Sequence, residues 1–467
     1  MSKSVFDRLP SVGELLDTAP LRRLVDKMNH NRVTSRVRGV LEEMRGELQT
    51  ARSDLKFPSV SELAERIARR IFEAERPPLR SIVNATGVIL PSGLGRAPLS
   101  EEALAEAVAV GRGYASVEPS RSGQPAGRQA AVEGLLVELS GAEAALVVNN
   151  QAAALLLTMA ALAGQREVVV ARGQLLEIGG DYRLPDVIAA SGARLREIGA
   201  TNRTTLEDYR SACGDQTAAL LLVEACGTPA GADRVVLTEL VRLAQERSIP
   251  LVHVLGPWGL IEIDGLPADA PNAAKSITEG ADVVLASGDK LVGGPQAGLT
   301  LGRRRWLERI AKHPLGRALR ADKLTLAALA GTLRSLRNPA TARRTLPVWQ
   351  LLATPIENLQ QRATRLAEQM AESPAVAKAE ARQTQVELGD EALAGQGLTS
   401  WAVALEPQGM SLEQLSAALL AGEPGIVGRI ADGRLWLELR SVMPREDHML
   451  LDAVLRLRST TSQTQAS

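Results

Sequence analysis

The feature that most limits the fold of this chain is a series of short apolar runs separated by helical segments. The runs lie between residues 82 and 331, at Ala145–Val148, Val168–Ala171, Ala218–Val223, Leu251–Leu255 and Val283–Ala286. Apolar runs of this length, without polar alternation, are typical of strands that are buried on both faces of a parallel sheet. The alternation therefore predicts an α/β region, with a mostly parallel, wound sheet and helices on both faces.

Clusters of polar and small residues follow these runs, where the predicted strands end. They are Asn149-Asn150-Gln151, Arg172-Gly173, Gly199–Arg203, Gly256–Gly259 and Asp289-Lys290. The carboxyl ends of parallel strands meet at one edge of a sheet, and ligands of wound α/β proteins bind at that edge. The sequence therefore predicts a ligand site that is built from these clusters.

One of the clusters carries a single lysine among residues that let the backbone approach closely. The stretch from Ser287 to Gly298 contains Lys290, and three glycines and a proline follow it. A lysine in this setting suits a Schiff base with an aldehyde cofactor. Taken alone, the stretch also fits a solvated turn lysine beside a glycine-rich loop. The convergence of the other clusters on the same sheet edge favours the cofactor interpretation.

The cluster Asn149-Asn150-Gln151 leads from a predicted strand into an alanine-rich helix. Free backbone amides at the start of a helix, together with the helix dipole, form a cradle for phosphate. A simple asparagine cap explains the same residues equally well. Both interpretations predict a helix that begins at this turn.

Residues 1–80 are predicted to form a separate helical domain. Two segments, at Ser11–Glu14 and Ser59–Glu62, match the capping-box pattern, and Pro77-Pro78 marks a linker. The domain contains 16 Lys and Arg residues against 12 Asp and Glu, with a basic cluster at Arg22, Arg23, Lys27, Arg32, Arg36 and Arg38. This cluster is either a set of solvated helix faces or an electrostatic surface for an RNA backbone.

From Thr332 onward the pattern changes to a smaller α+β region. Thr354–Glu372 is predicted to be a helix, Ser411 is predicted to open another, and the segments Ile426–Ile430 and Leu435–Leu439 form a hairpin around Asp432-Gly433. We therefore predict three domains, at residues 1–80, 81–335 and 336–467.

Composition excludes several classes of protein. The 54 basic and 54 acidic residues balance, which excludes a globally basic nucleic-acid binder but leaves room for a local basic patch. The two cysteines, Cys213 and Cys226, fit neither a disulfide framework nor a zinc site, so no metal site is predicted. No apolar run approaches 18 residues and no signal peptide is recognisable. The sequence is typical of a soluble, cytoplasmic protein without a membrane anchor.

Several long motifs occur in the order of one known family. They are Leu9–Val12, Val83–Gly87, Leu94–Ser100, Arg172-Gly173, Glu177–Gly180, Thr201–Thr204, Ser287–Gly298 and His313–Leu326. In these motifs the chain resembles bacterial selenocysteine synthase, the L-seryl-tRNA(Sec) selenium transferase. The resemblance runs almost from end to end and implies a fold-type I pyridoxal-phosphate enzyme.

The resemblance implies roles for particular residues. Lys290 would form the internal aldimine with pyridoxal 5'-phosphate, with Asp289 beside it, and Ser287 and the Asn149–Gln151 turn would help to hold the cofactor. Three arginines match family arginines that bind the anionic selenium donor, selenophosphate: Arg96, Arg317 and Arg320. If their segment is helical, Arg317 and Arg320 share a face, where Asp322 or solvent is the alternative partner of their charge.

The resemblance also implies the reaction and the partners. Seryl-tRNA(Sec) would lose its hydroxyl to give a dehydroalanyl intermediate, which selenium then attacks. The N-terminal domain of the family contacts the tRNA, which favours the RNA interpretation of the basic cluster. The family assembles as homo-oligomers of dimers, so at least a dimer is expected here.

The chain departs from the family pattern at several positions near the predicted site. The family's Leu-His-Thr-Asn-Leu-Gly-Arg is replaced by Leu90–Arg96 with Pro91 and Gly93, and the basic glycine-rich segment after Tyr114 by one that contains Gln124-Pro125-Ala126. Glu224 ends a strand where the family has histidine. The family aspartate that pairs with the pyridine nitrogen is replaced by Val254.

Neighbouring side chains in a strand face opposite ways, so His253 is expected to point away from the site that Val254 faces. Glu224 either supplies the missing carboxylate or is a structural glutamate. Three hypotheses follow: a selenium transferase, a diverged pyridoxal-phosphate enzyme that acts on a small amino acid by elimination, and an inactive RNA-binding scaffold. The retained Lys290 argues against the scaffold, and the resemblance favours the transferase.

Overall fold

The structure is a computed structural model, and it describes residues 10–50, 59–74, 79–116, 129–175, 177–178, 182–224, 235–267, 269–390 and 397–457. Pro77-Pro78, Gln124–Ala126 and Cys226 lie outside the described residues. The chain divides into two compact units, Met1–Arg80 and Ser81–Ser467. The division of the second unit at residue 335 stays a prediction.

The first unit is helical, as its capping patterns predict. Its helices are α1 (Val12–Leu16), α2 (Ala19–Lys27), α3 (His30–Thr50) and α4 (Val60–Ala74). Ser11 and Glu14 form a reciprocal capping box at the start of α1, and Ser59 and Glu62 form the same pair before α4. Leu15, Leu21 and Ile67 belong to a small apolar core of this unit.

Within the described residues, the second unit contains a seven-stranded sheet, a six-stranded sheet and a small two-stranded sheet. Its strands are β1 (Ile82–Ala85), β2 (Val88–Leu90), β3 (Ala144–Val148), β4 (Glu167–Ala171), β5 (Glu177–Ile178), β6 (Tyr182–Arg183), β7 (Arg194–Ile198), β8 (Thr217–Val223), β9 (Leu251–Val254), β10 (Val283–Ser287), β11 (Gly298–Gly302), β12 (Val376–Gly389), β13 (Gly397–Pro407), β14 (Gly425–Ala431) and β15 (Arg434–Glu438).

Helices separate these strands over most of the unit. They are α5 (Glu101–Gly111), α6 (Ala130–Ser140), α7 (Gln151–Leu162), α8 (Leu184–Ala190), α9 (Leu206–Ala212), α10 (Leu237–Glu246), α11 (Ala273–Thr278), α12 (Arg304–Ala311), α13 (Leu315–Ala318), α14 (Lys323–Leu336), α15 (Pro339–Thr345), α16 (Pro347–Ala353), α17 (Ile356–Met370), α18 (Leu412–Ala421) and α19 (Asp447–Leu455). Within the described ranges, no helix is both long and apolar enough to cross a membrane.

The larger sheet has seven strands in the order β3-β11-β10-β9-β8-β4-β7. The pairs from β10 across to β7 are parallel, whereas β11 runs antiparallel between β10 and β3. The prediction of a mostly parallel, wound sheet is therefore confirmed. The carboxyl ends of β3, β4, β7, β8, β9 and β10 share one edge, at which β11 begins.

Both faces of this sheet are covered, which explains why its strands are apolar without alternation. Val254 and Leu285 face an apolar cluster that includes α7, α8 and α12, whereas Leu251 and Leu255 belong to the cluster on the opposite face, with α6, α10 and α14. Strand residues therefore alternate between two buried faces rather than between core and solvent.

The smaller sheet has the order β1-β14-β15-β13-β12-β2 and packs its inner face on α17, α18 and α19. It contains a departure from the sequence interpretation. Residues 82–90 were assigned to the large domain, but β1 pairs with β14 and β2 pairs with β12, both in parallel. Parallel partners this far apart in sequence leave no local pattern that would reveal the pairing.

The C-terminal hairpin forms where its turn residues predict it. β14 and β15 are antiparallel and flank Asp432 and Gly433, whose φ angles are 51° and 70°. Positive φ at both central positions matches the right-handed twist of the strands. Ser411 caps α18 through a reciprocal pair with Gln414, as predicted.

Candidate active site

Lys290 lies in a tight loop directly after β10. The Gly288 amide donates to the Ala297 carbonyl at 2.8 Å, and the Gly294 amide donates to the Gly288 carbonyl at 2.8 Å. A Cβ atom on Gly288 would lie 2.5 Å from the Pro295 carbonyl oxygen, so only glycine fits there. The loop therefore holds Lys290, which is half-buried, at the carboxyl edge of the large sheet.

Asp289 forms hydrogen bonds with two other predicted site residues, Arg96 and Ser287. Its Oδ2 accepts a hydrogen bond from Arg96 Nη1 at 2.8 Å, and its Oδ1 accepts one from Ser287 Oγ at 2.6 Å. Its main-chain carbonyl also accepts from the Ala97 amide at 3.1 Å. The Asp289 side chain is buried, so this ion pair is partly shielded from solvent. The structure thus brings Arg96, Asp289 and Ser287 together beside Lys290.

The Asn149–Gln151 turn lies at the same edge of the sheet. Asn150 is the N-cap of α7, and its Oδ1 accepts from the Ala153 amide at 2.8 Å. Gln151 Nε2 lies 3.5 Å from the Leu285 carbonyl oxygen, in the strand that leads to Lys290. Gly298 passes so close to the Asn150 carbonyl that a side chain would collide with it. The predicted helix start is therefore next to the lysine loop.

The arginine pair is arranged differently from the prediction. Helix α13 ends at Ala318, so Arg317 lies in it and Arg320 lies beyond it, and the two do not share a helix face. Arg320 instead forms a β-bridge with Val148, and the Asn149 amide donates to the Leu319 carbonyl at 2.9 Å. Backbone pairing with the end of β3 replaces the next helical turn. Both arginines are exposed.

Asp322 serves the following helix. Its Oδ1 accepts from the Leu324 amide at 2.6 Å and from the Thr325 amide at 3.1 Å, as the N-cap of α14. Burial opposes ionisation, but the hydrogen bonds from Thr325 and Leu324 outweigh it and hold the pKa of Asp322 below its usual value. Asp322 is therefore engaged as a helix cap.

A second polar cluster lies where β8 and β9 end. His253 is buried, and its Nε2 lies 3.0 Å from Glu224 Oε1 while its Nδ1 lies 3.1 Å from Ser276 Oγ. Ser276 Oγ donates its proton to the Asn272 carbonyl at 2.8 Å, so it accepts from the histidine Nδ1–H. On the other side of the ring, Nε2 contacts the Glu224 carboxyl group directly.

This cluster faces away from Val254. Val254 packs in the apolar cluster that contains α7, whereas His253 contacts Ser276 of α11 on the opposite face of β9. The side chain of Glu224 turns toward His253 as well. The arrangement matches the interpretation of Glu224 as a structural glutamate. No sequence pattern indicated that His253 would contact Glu224 and Ser276.

Comparisons with known proteins identify the family of the chain. The family model described as SelA, L-seryl-tRNA selenium transferase, matches residues 82–443. The chain belongs to this family. The L-seryl-tRNA(Sec) selenium transferase of Moorella thermoacetica is 39% identical over 464 residues, covering 97% of each chain. Those of Desulfomicrobium baculatum and Yersinia enterocolitica serotype O:8 are 40% and 38% identical and cover 97% and 93% of this chain, and 98% and 96% of their own lengths.

Among solved structures, D-glucosaminate-6-phosphate ammonia-lyase shares the fold. Its TM-score is 0.57 at 19% identity, and the match covers 83% of this chain and 97% of that one. The fold class predicted from the resemblance, a fold-type I pyridoxal-phosphate enzyme, is confirmed.

One contact next to the candidate site was not predicted from the sequence. Asp390, directly after β12, accepts two hydrogen bonds from Ser92 in the segment that leads to Arg96. No sequence pattern links Ser92 to Asp390. The pairing of β2 with β12 brings the two residues together.

Proposed function

We propose that this protein converts L-seryl-tRNA(Sec) to selenocysteinyl-tRNA(Sec), with pyridoxal 5'-phosphate as cofactor and selenophosphate as selenium donor. The observation that carries the proposal is the placement of Lys290 beside the Asp289–Arg96 ion pair at the carboxyl edge of the sheet. It occurs in a chain that is 36–40% identical to L-seryl-tRNA(Sec) selenium transferases over nearly its whole length.

The residues present fit pyridoxal phosphate. Lys290 provides the amine, and the first amides of α7, at Gln151 and Ala152, precede any intrahelical acceptor and are suited to a phosphate group. Gly298 leaves the Asn150 backbone uncovered by any side chain from β11. Asn149, Asn150, Gln151 and Ser287 would hold the cofactor together with Lys290. When bound, the cofactor withdraws electrons from the seryl Cα.

At this edge of the sheet, Lys290 would transfer a proton and Asp289 would hold the charged Arg96 guanidinium in place. The Lys290 Nζ would act as the general base that takes the proton from the seryl Cα. Asp289 fixes the Arg96 guanidinium through its Oδ2 and is itself fixed by Ser287. The carboxylate thus keeps a positive group beside the lysine without leaving that charge unpaired.

The selenium donor would bind to the arginines. Selenophosphate is a compact oxyanion, and guanidinium groups bind oxyanions through charge-assisted hydrogen bonds. The bridge between Arg320 and Val148 places the Arg317–Arg320 segment against the strand that ends at the Asn149 turn. We assign donor binding to Arg96, Arg317 and Arg320.

The tRNA would bind to the N-terminal unit through its basic cluster. Arg22, Arg23, Lys27, Arg32, Arg36 and Arg38 are all exposed. Exposed cations that displace counterions from a phosphate backbone give binding that weakens steeply with added salt. Contact with tRNA through this unit is therefore expected to be strongly salt-dependent.

We propose that the protein is a cytoplasmic homo-oligomer of dimers, and an exposed apolar patch supports its self-association. On α5, Leu104 and Val108 are 43% and 50% exposed one helical turn apart, and Leu324 of the adjoining α14 is 45% exposed. Large apolar side chains that cluster on a surface mark contact sites. The test is the mass in solution: Leu104→Glu with Val108→Glu is expected to shift the protein toward monomer.

The first experiment is the visible absorbance of the purified protein with added pyridoxal phosphate, beside Lys290→Ala. The exposed Lys312→Ala serves as the matched lysine control. We expect a yellow band in the wild type and in Lys312→Ala, and none in Lys290→Ala. Seryl-tRNA(Sec) and selenophosphate are then added, and selenocysteinyl-tRNA(Sec) is measured.

Each outcome separates the hypotheses. A wild-type spectrum identical to that of Lys290→Ala contradicts both enzymatic hypotheses. A normal yellow band, with no conversion of seryl-tRNA(Sec) but elimination from a free amino acid, contradicts the transferase assignment alone.

A further inference from the structure

A contact between two distant parts of the chain fixes the segment that carries Arg96. The Oδ2 of Asp390 accepts hydrogen bonds from the Ser92 amide at 2.8 Å and from Ser92 Oγ at 2.7 Å. The two residues are 298 positions apart in the chain. Two donors from one residue converge on a single carboxylate oxygen, which fixes Ser92 in both position and rotation.

The strands behind these residues explain why they meet. β2 runs parallel to β12, with Leu90 opposite Gly389. Both strands therefore end at the same edge of the smaller sheet. Pro91-Ser92 follows β2 there, next to Asp390, which follows β12. The contact is anchored on two paired strands, so it has a rigid base.

The segment between Ser92 and Arg96 is a closed turn. Ser92–Leu94 forms one 3₁₀ turn, and the Arg96 amide donates back to the Pro91 carbonyl at 2.9 Å. Gly95 and Arg96 have φ angles of 88° and 61°. A residue with a side chain keeps a left-handed conformation only where its surroundings enforce it, so Arg96 is held here under strain.

The far end of the turn is tied to the lysine loop. The Ala97 amide donates to the Asp289 carbonyl at 3.1 Å, and Arg96 Nη1 donates to Asp289 Oδ2 at 2.8 Å. The strained turn is thus fastened at one end by Asp390 and at the other by Asp289. Loss of the Asp390 contact would leave the Asp289 end and the turn's own Arg96–Pro91 hydrogen bond to hold the Arg96 conformation.

We propose that Asp390, acting through Ser92, is a positioning residue for Arg96 and so for the oxyanion substrate. The inference rests on the proposed function, in which Arg96 binds the selenium donor. A guanidinium binds an oxyanion through N–H groups in a fixed fork, so its orientation decides the affinity. Asp289 keeps its own hydrogen bond from Ser287, so the lysine loop does not depend on Asp390.

Steady-state kinetics test the proposal. Asp390→Ala is expected to raise KM for selenophosphate about tenfold, as for loss of one charge-assisted contact, with kcat changed less than about twofold. Asp390→Asn retains an oxygen acceptor and is expected to recover most of the affinity. Ser92→Ala, which keeps the amide donor, is expected to raise KM about threefold. The cofactor absorbance is expected to stay unchanged in all three.

Two control variants remove comparable contacts elsewhere in the C-terminal region. Ser411→Ala deletes a serine cap on α18, and Asp452→Ala deletes an exposed carboxylate on α19. Both are expected to leave KM for selenophosphate unchanged. A loss of thermal stability in Asp390→Ala and Ser92→Ala with wild-type KM would overturn the proposal, because that is the result of a purely structural contact.

Calorimetric titration with inorganic phosphate separates this proposal from the proposed function. If the wild type makes no selenocysteinyl-tRNA(Sec), but Arg96→Ala and Asp390→Ala weaken phosphate binding to a similar degree, the positioning role stands and the reaction does not. If the wild type is active and Asp390→Ala binds phosphate and selenophosphate as tightly as the wild type does, the positioning role is wrong and the reaction stands.

Discussion

Two carboxylates at the carboxyl edge of the large sheet take their partners from different places. Asp289 pairs with Arg96, which arrives on a turn that leaves the smaller sheet. Glu224 pairs with His253, which lies on the neighbouring strand of the same sheet. The first pair joins two sheets of the protein at a lysine, whereas the second joins two neighbouring strands of one sheet and, through Ser276, the helix α11 that covers them.

This difference suggests different roles for the two pairs: the Asp289–Arg96 pair belongs to the candidate active site, and the Glu224–His253 pair stabilises the fold. The Asp289 pair leaves part of the Arg96 guanidinium exposed, so the cation remains available to an incoming anion. In the Glu224 network, both ring nitrogens of His253 are engaged, and the Ser276 hydroxyl donates a hydrogen bond to the Asn272 carbonyl. We therefore expect changes to the first pair to alter activity and changes to the second to alter stability.

The largest effect is expected where the apolar face beside α7 is given a charge. Val254→Asp would bury a carboxylate among aliphatic side chains and lower the free energy of unfolding of the cofactor-free protein by about 3–4 kcal/mol. Added pyridoxal phosphate is expected to recover part of that loss, because a carboxylate at this position would pair with a protonated pyridine nitrogen, as the family resemblance implies. Chemical denaturation with and without cofactor measures both. The same cofactor response in Val254→Leu would contradict the explanation.

Asp289→Asn tests the pair that joins the two sheets. The amide keeps a neutral hydrogen-bond acceptor for Ser287 but removes the charge that holds Arg96. We expect kcat/KM to fall about a hundredfold, or about 2.7 kcal/mol, with the cofactor absorbance band retained. Steady-state assays beside the Asp432→Asn control, on a distant hairpin, give the comparison. A loss of less than about threefold would show that the pair has no role in the reaction.

Glu224→Ala tests the pair within the sheet. Removal of the carboxylate leaves His253 Nε2 without this partner in a buried setting, so the free energy of unfolding should fall by about 2 kcal/mol. Glu224→Gln can donate to the ring nitrogen and should recover most of that loss. Urea denaturation measures the stability, and kcat should stay within about threefold of the wild type. A large fall in kcat at unchanged stability would instead place Glu224 in the reaction.

The smallest effect is expected at Asp322, the cap of α14. Its folded pKa is lowered, so its contribution to stability is fully present above the unfolded pKa and is lost as pH falls through the folded pKa. Asp322→Ala should lower stability by about 1 kcal/mol at pH 7 and by almost nothing in strong acid. Denaturation across pH 2–7 measures this, with Asp322→Asn as the uncharged cap. A pH-independent difference would contradict the ionised cap.

The sequence predicted those parts of the fold that depend on local patterns. Buried strands are apolar throughout, so β8 and β10 were predicted to within one residue of their bounds, and the helix that begins at Gln151 was also predicted. The antiparallel placement of β11 between β3 and β10 was not predicted, because apolar runs carry no information on direction.

The parts that could not be predicted depend on distant pairings. Arg320 bridges to Val148, Ser92 binds Asp390, and β1 and β2 join the smaller sheet. Helical spacing was the wrong guide for Arg317 and Arg320, since backbone pairing with another strand ended the helix after Ala318. The resemblance identified the family, and the geometry around Arg96 came only from the structure.

The pairing of β2 with β12 has a consequence for synthesis on the ribosome. A chain emerges from its N-terminus and begins to fold as it does so. Lys290 and its loop leave the ribosome about a hundred residues before Asp390, and the strand that fixes Ser92 follows them. The nascent large sheet can therefore form while only the Asp289 end of the Arg96 turn is anchored, and the Ser92 end is fixed when Asp390 is made. A chain truncated before β12 would carry the lysine loop and the Asp289–Arg96 pair without the contact that fixes Ser92.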